Sequence, residues 1–283
     1  MMDFTGITVV ITGAGRGLGW AYAQAFAAAG ANVVVNDGGC DGLGGGEDGG
    51  VAEAAAERLR AAGGQAVAHG RALASEADCA DLIDTAVQAF GGVDVVVHNA
   101  GWVGYQALPA HEDAFMAQAL CLGVWVPVWL AKQAWPWWQR SAHPRLVLTT
   151  SDRAMYLDYG QVGLLAYSAS KMGQLGVMNG LATDGQAMGL RVNAVSPVAK
   201  TRMWGVSDAP QDLKPEWVTP GVLYLASAAC VDSGYVLRAS NGQFAATRFE
   251  EQPGVDYPYD LRQVKAATGA QVAQLWPQIK GAS

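Results

Sequence analysis

Short runs of β-branched and aliphatic residues alternate along this chain with longer alanine-rich stretches whose apolar positions recur at helical spacing. Ile7–Thr12, Asn32–Asn36, Val93–His98, Arg145–Thr150 and Arg191–Val195 are continuously apolar apart from their ends, as strands covered on both faces are. Leu18–Gly30, Val51–Gly63 and Asp78–Phe90 carry the helical pattern, and the first two end on glycine, a common helix stop. Strand and helix in strict alternation predict an α/β fold, a doubly wound parallel sheet with helices on both faces.

Two segments stand outside this rhythm. Asp37–Gly50 is rich in glycine, with Leu43 its one large apolar residue, and predicts either a mobile loop or a surface made of backbone. The tail from Gln252 holds Tyr257, Tyr259 and a possible helix over Leu261–Trp276, and reads as a flap or interface arm. No composition break or internal repeat interrupts the pattern before about residue 250. A single domain over 1–250 with a tail over 251–283 is the expectation.

Composition narrows the class. Of the 283 residues, 51% are hydrophobic and 15% charged, enough for a substantial core and unlike a disordered chain. A net charge of -7 argues against nucleic acid as the main partner, because phosphate binding needs a basic surface. Cys40, Cys79, Cys121 and Cys230 form no CxxC pair and find no histidine at zinc spacing, so reduced thiols and no metal are expected. Asp3 precedes the first strand without an apolar leader, and the most apolar stretch, Ala119–Ala131, is short and contains Pro127. Neither a secretory signal nor a membrane span is expected, and the localisation predicted is cytoplasmic.

Candidate chemistry gathers at the ends of the predicted strands. The first strand runs into "TGAGRGLG", with glycines at Gly13, Gly17 and Gly19 and with Arg16 and Leu18 between them. A turn without side chains that opens a helix lets backbone N–H groups and the helix's positive end approach a pyrophosphate. The second strand ends at Asp37, whose carboxylate can accept from both ribose hydroxyls and would repel a 2′-phosphate. NAD is therefore preferred over NADP, although Arg16 inside the loop could attract that phosphate. Later strands end in "HNAGW" (His98–Trp102) and "TTSDR" (Thr149–Arg153). Tyr167 and Lys171 then lie four apart, on one helix face. An ammonium there favours the phenolate and can bring a tyrosine down from about 10 towards the working pH, where an acid–base group is most effective.

These motifs, in this order, resemble the short-chain dehydrogenase/reductase family over about residues 5 to 245. The resemblance implies a Rossmann-type sheet and a nicotinamide dinucleotide along its carboxyl edge. Ser151 would hold the substrate oxygen and Tyr167 would exchange its proton. Lys171 would bond the ribose and lower the tyrosine. The cofactor contacts implied are Gly13, Arg16, Gly17, Leu18, Gly19, Asp37, Asn99, Ala100, Gly101, Tyr167, Lys171, Pro197, Val198 and Thr201.

One branch looks nearer. The glycine loop after Asp37, "AWPWW", "PVAKTRM" and "LKPEWVTP" are similar to the dehydrogenase module of peroxisomal multifunctional enzyme type 2, also called 17β-hydroxysteroid dehydrogenase type 4. That resemblance implies oxidation of (3R)-hydroxyacyl-CoA thioesters or steroid alcohols, in a free-standing relative without the other modules. Trp102, Tyr156, Met203 and Trp204 fall on segments that line the substrate cleft in relatives, and the chain has ten tryptophans. Trp125, Trp129, Trp135, Trp137 and Trp138 read as core or subunit interface, and Gly173–Gly180 would allow close helix contact. A homodimer or homotetramer is expected.

The sequence also departs from the family's pattern. Leu120 stands where a relay asparagine is usual, and Ala72 or Ala74 where an acid contacts adenine. Tyr167 follows Ser151 by sixteen residues, a wider spacing than usual that requires a bulge near Val162–Leu164. Val198 follows Pro197 where many relatives have glycine. Two alternatives therefore stay open: an NADPH-dependent ketoreductase, and a non-catalytic nucleotide-sensing protein of the same fold.

Overall fold

The structure, a computed structural model, describes residues 2–41, 45–201 and 211–281. Seven parallel strands and one antiparallel strand form a single sheet in the order β3-β2-β1-β4-β5-β6-β7-β8. The strands are β1 (Thr8–Thr12), β2 (Asn32–Asn36), β3 (Gln65–His69), β4 (Val95–His98), β5 (Arg145–Thr149), β6 (Arg191–Val198), β7 (Val236–Ser240) and β8 (Gln243–Thr247). The chain order reverses between β1 and β4, and a crevice opens at the carboxyl end of such a switch point.

Alternate residues of each strand feed two separate cores, as the period of two demands. Val9, Ile11, Val33, Val35, Val95 and Val97 pack against α1 (Gly17–Ala28), α2 (Gly50–Ala61) and α8 (Thr219–Ala226). Val10, Val34, Val96, Leu146 and Leu148 pack against α3 (Glu76–Phe90), α5 (Val126–Trp138) and α7 (Leu165–Asp184). Between α3 and α5 in the chain lies α4 (Asp113–Leu120), and α6 (Asp152–Met155) precedes α7.

The helix following β4 corrects one expectation. A π-turn at Cys121–Trp125, closed by the Val126 N–H on the Cys121 carbonyl, joins α4 to α5 in one helix of 26 residues, Asp113–Trp138. Pro127 falls in the first turn of α5 and does not end it. By length and hydropathy this helix could cross a bilayer. Its Val126, Leu130, Ala131, Ala134 and Trp138 face the core instead.

The glycine segment is built on backbone where it is described. The Asp41 N–H donates to the Gly45 carbonyl at 2.8 Å, and the Asp48 N–H to the Gly38 carbonyl at 2.9 Å. Gly39, at φ +69°, leaves no room for a side chain against the Asp48 backbone.

Contacts divide the chain into two compact units, 1–247 and 248–283. In the second, the helix α9 spans Gly269–Ile279, not Leu261–Trp276. Its start is fixed by a capping box, in which Thr268 and Gln271 bond each other's backbone.

Candidate active site

The ends of β1, β2 and β4 converge first. A methyl group on Gly13 would meet the Ala100 backbone and the Asn99 amide, and one on Gly19 would collide with the Gly13 carbonyl. Gly13 therefore lets β1 and β4 close on each other, while Gly19 seats α1 tightly against the turn. Gly17 takes φ +56°, a left-handed conformation that favours glycine. The Thr12 hydroxyl accepts the N–H groups of Asn99 and Ala100 at 3.1 and 3.0 Å, so its own proton goes to His98 Nδ1, also 3.0 Å away. His98 Nε2–H then donates to the Leu122 carbonyl at 2.9 Å, inside the π-turn. The ring is neutral, and burial brings it down to about 3.

A cleft of about 530 Å³ lies over this turn. Gly13, Arg16, Gly17, Leu18, Asp37, Asn99, Ala100, Gly101 and Thr201 all line it; Gly19 does not. The Asp37 carboxylate accepts the N–H groups of Gly15 at 3.0 Å and Gly39 at 2.8 Å. Arg16 lies 3.7 Å from the same carboxylate and donates to the Cys40 carbonyl at 2.9 Å. Its charge is turned onto Asp37. A side-chain-free turn, a helix start and a fixed carboxylate in one open cleft fit the adenosine and pyrophosphate of a dinucleotide.

The adjoining cleft, about 560 Å³, shares Leu18, Asn99, Gly101, Trp102 and Thr201 with the first. It brings together Ser151, Tyr167, Lys171, Pro197 and Val198. Ser151 caps α6, accepting the Arg153 N–H at 3.2 Å, and its hydroxyl hydrogen-bonds to the Tyr167 phenol. The wide Ser–Tyr spacing is taken up outward: Leu157 and Val162 are 95% and 90% exposed, and Gly163 turns the chain at φ +88°. The Gln106 N–H holds that turn through the Gly163 carbonyl at 3.0 Å.

The electrostatics differ from the expectation. Burial pushes Tyr167 up from its ordinary value; the Ser151 hydrogen bond and the Arg153 charge act in the opposite direction. The Lys171 ammonium lies 5.9 Å from the phenol ring and donates to the Thr149 carbonyl at 2.7 Å. Its complete burial brings it down to about 8. Arg153, which no motif spacing marks, is thus a second cation near the phenol, and its charge favours the phenolate.

Of the four predicted substrate residues, Trp102 lines the cleft, packed edge-on against Phe115 at 4.9 Å. Tyr156 does not line it; it lies against the Arg238 guanidinium at 4.7 Å, and Tyr159 takes the wall position instead. Met203 and Trp204 lie outside the described residues. The wall is more polar than expected, with Asp152, Arg153, Asp158, Gln161 and Arg238 on it. Asp152 holds Arg238 through two hydrogen bonds, at 3.0 and 2.8 Å. Apart from the "TTSDR" string itself, no motif spacing marks these polar residues. Among the described residues no cluster suited to a metal ion occurs.

Comparisons with known proteins agree with this geometry. The family model described as short chain dehydrogenase matches residues 7–211. A short-chain type dehydrogenase/reductase of Mycobacterium tuberculosis is 34% identical, with 94% of each chain covered. The mouse peroxisomal multifunctional enzyme type 2 is also 34% identical, over 89% of this chain and 34% of its own length. The yeast peroxisomal hydratase-dehydrogenase-epimerase is 33% identical, over 98% of this chain and 30% of its own. The chain thus spans about a third of the length of these two peroxisomal relatives. Among solved structures, a short chain dehydrogenase from Mycobacterium avium superposes with a TM-score of 0.81 at 33% identity, covering 97% of this chain and 96% of that one. On family match and fold alike, the chain belongs to the short-chain dehydrogenases, oxidoreductases that act on CH–OH groups with a nicotinamide cofactor.

Proposed function

We propose that the protein is an NAD-dependent dehydrogenase interconverting a secondary alcohol and a ketone on a bulky substrate, a 3-hydroxyacyl-CoA in preference to a hydroxysteroid. The observation that carries it is the meeting of Ser151, Tyr167 and Lys171 in a cleft continuous with the one over Asp37. A bound nicotinamide would supply the hydride acceptor. Ser151 orients the substrate oxygen; Tyr167, after losing its own proton to solvent, takes the alcohol's proton as the phenolate and, as the phenol, gives it back in the reverse reaction. Lys171 would meet the ribose beside Gly101, where a side chain would press on the ammonium. Asp37, already neutralising Arg16, supports NAD over its phosphorylated form. The mixed walls, Trp102, Val103 and Tyr159 facing Arg153, Asp158 and Gln161, suit an acyl thioester better than an all-carbon steroid nucleus. A cytoplasmic homo-oligomer belongs to the same proposal.

The test offers NAD and NADP with a series of 3-hydroxyacyl-CoA esters and steroid alcohols and follows reduced nicotinamide by absorbance. Tyr167→Phe should lower kcat at least about 100-fold while NAD affinity stays within about twofold. A variant retaining about a tenth of the rate would overturn the role given to Tyr167. Preference for NADPH with ketones would favour the ketoreductase reading; cofactor binding without any turnover would favour a sensor.

A further inference from the structure

The nucleotide cleft is also walled by Arg71, Ala72, Leu73 and Ala74 after β3 and by Ala117, Gln118, Cys121 and Leu122 on the helix after β4. If the cleft holds a dinucleotide as proposed above, with its ribose at Asp37, the purine falls here. No carboxylate stands at Ala72 or Ala74 to take the exocyclic amine. The backbone there is committed as well: the Ala72 N–H donates to Glu47 at 3.3 Å and the Ala74 N–H to Asp78 at 3.1 Å. Arg71 donates to Asp81 at 3.1 Å, and the Cys121 thiol to the Ala74 carbonyl at 3.4 Å.

Gln118 differs from these groups. It sits exposed on α4, lines the cleft, and among the described residues no hydrogen bond or ion pair of its carboxamide occurs, which leaves both its donor and its acceptor open to a ligand. A primary carboxamide places an acceptor beside a donor. Adenine places its N6 amine beside the N1 or N7 acceptor, so the two can form paired hydrogen bonds. We propose that the Gln118 carboxamide reads the adenine edge of the bound dinucleotide, from the helical wall, in place of the acid missing after β3. Leu73 and Leu122 would flank the ring with apolar surface. The inference rests on the nucleotide reading of the cleft but assigns a contact that reading does not require.

The test measures binding to the whole chain by calorimetry, with no substrate present, using NAD, 1,N6-etheno-NAD and nicotinamide mononucleotide. The etheno bridge removes the N6 donor on either edge. Wild type should bind NAD about three- to tenfold more tightly than the etheno analogue. Gln118→Leu should weaken NAD by that factor, bring the two dinucleotides to near-equal affinity and leave the mononucleotide unchanged. Gln118→Asn, with the same amide on a shorter arm, should fall between them. An NAD-to-etheno ratio that survives in Gln118→Leu overturns the inference alone. Wild type that binds no dinucleotide overturns it together with the proposed function.

Discussion

Burial shifts the proton affinities of Tyr167 and Lys171 in ways their spacing does not. Lys171 drops from an ordinary 10.5 to about 8 because its ammonium has lost water and gains the Thr149 carbonyl in exchange. Between those two values the unfolded chain holds a proton that the folded one does not, so stability rises with pH across that window. Below about 8 the full cost is present, about 3 kcal/mol from the size of the shift. Lys171→Met removes that cost but orphans the Thr149 carbonyl, which takes back about 1–2 kcal/mol. The variant should thus be about 1–2 kcal/mol more stable than wild type at pH 7, with the advantage vanishing towards pH 10. Urea unfolding at both pH values checks this; a less stable variant at pH 7 would show that burial costs the lysine little. That Ser151, Tyr167 and Lys171 belong together was legible in the sequence, because the YxxxK spacing and strand-end serine are local features. The dominance of burial over the lysine's field was not, since it depends on how α7 packs against β5.

Elements show the same division between local and distant causes. The valine-rich strands β1, β2 and β4 were legible from their runs, whereas β3 (QAVAH), β7 (VLRAS) and β8 (QFAAT) escaped because alanine and polar residues dominate them. Their strand state comes from neighbours in the sheet, not from propensity. The π-turn was invisible too, although His98 points to it: the ring joins the end of β4 and the Thr12 hydroxyl to the Leu122 carbonyl. Because the fold lowers His98 from 6.5 to about 3, the unfolded chain takes up a proton in that window that the folded chain refuses. Stability is then complete above 6.5 and falls as pH drops, by about 2 kcal/mol at pH 5. His98→Asn keeps a donor and an acceptor without a titrating ring. It should lose about 1–2 kcal/mol at pH 7 through imperfect bonds, yet show a flatter decline into acid. An unchanged acid slope would mean that other groups govern it.

At the scale of the whole molecule, the long helix Asp113–Trp138 raises the question of what covers its outer face. Only 33% of its most apolar window is buried within the chain. Trp125 is 54% exposed and stacks on Trp129 at 5.8 Å, while Trp138, read from sequence as core or interface, is fully buried. On α7, which packs against α4 and the π-turn, Gly176 and Gly180 have open space where a side chain would project. Small residues on α7 and the exposed Trp125 on the long helix give a second helix room to approach, and a second copy supplies that helix by symmetry. A lipid surface would need basic residues around the apolar face, and this helix offers Lys132, already paired with Glu76 at 2.7 Å. The expected state is therefore a homodimer or homotetramer through this face. Trp125→Glu should shift it to monomer in light scattering after size exclusion, with far-UV circular dichroism unchanged because the substituted side chain lies outside the core. Wild type that is monomeric at ten micromolar, or that floats with lipid vesicles, would remove the case for this interface.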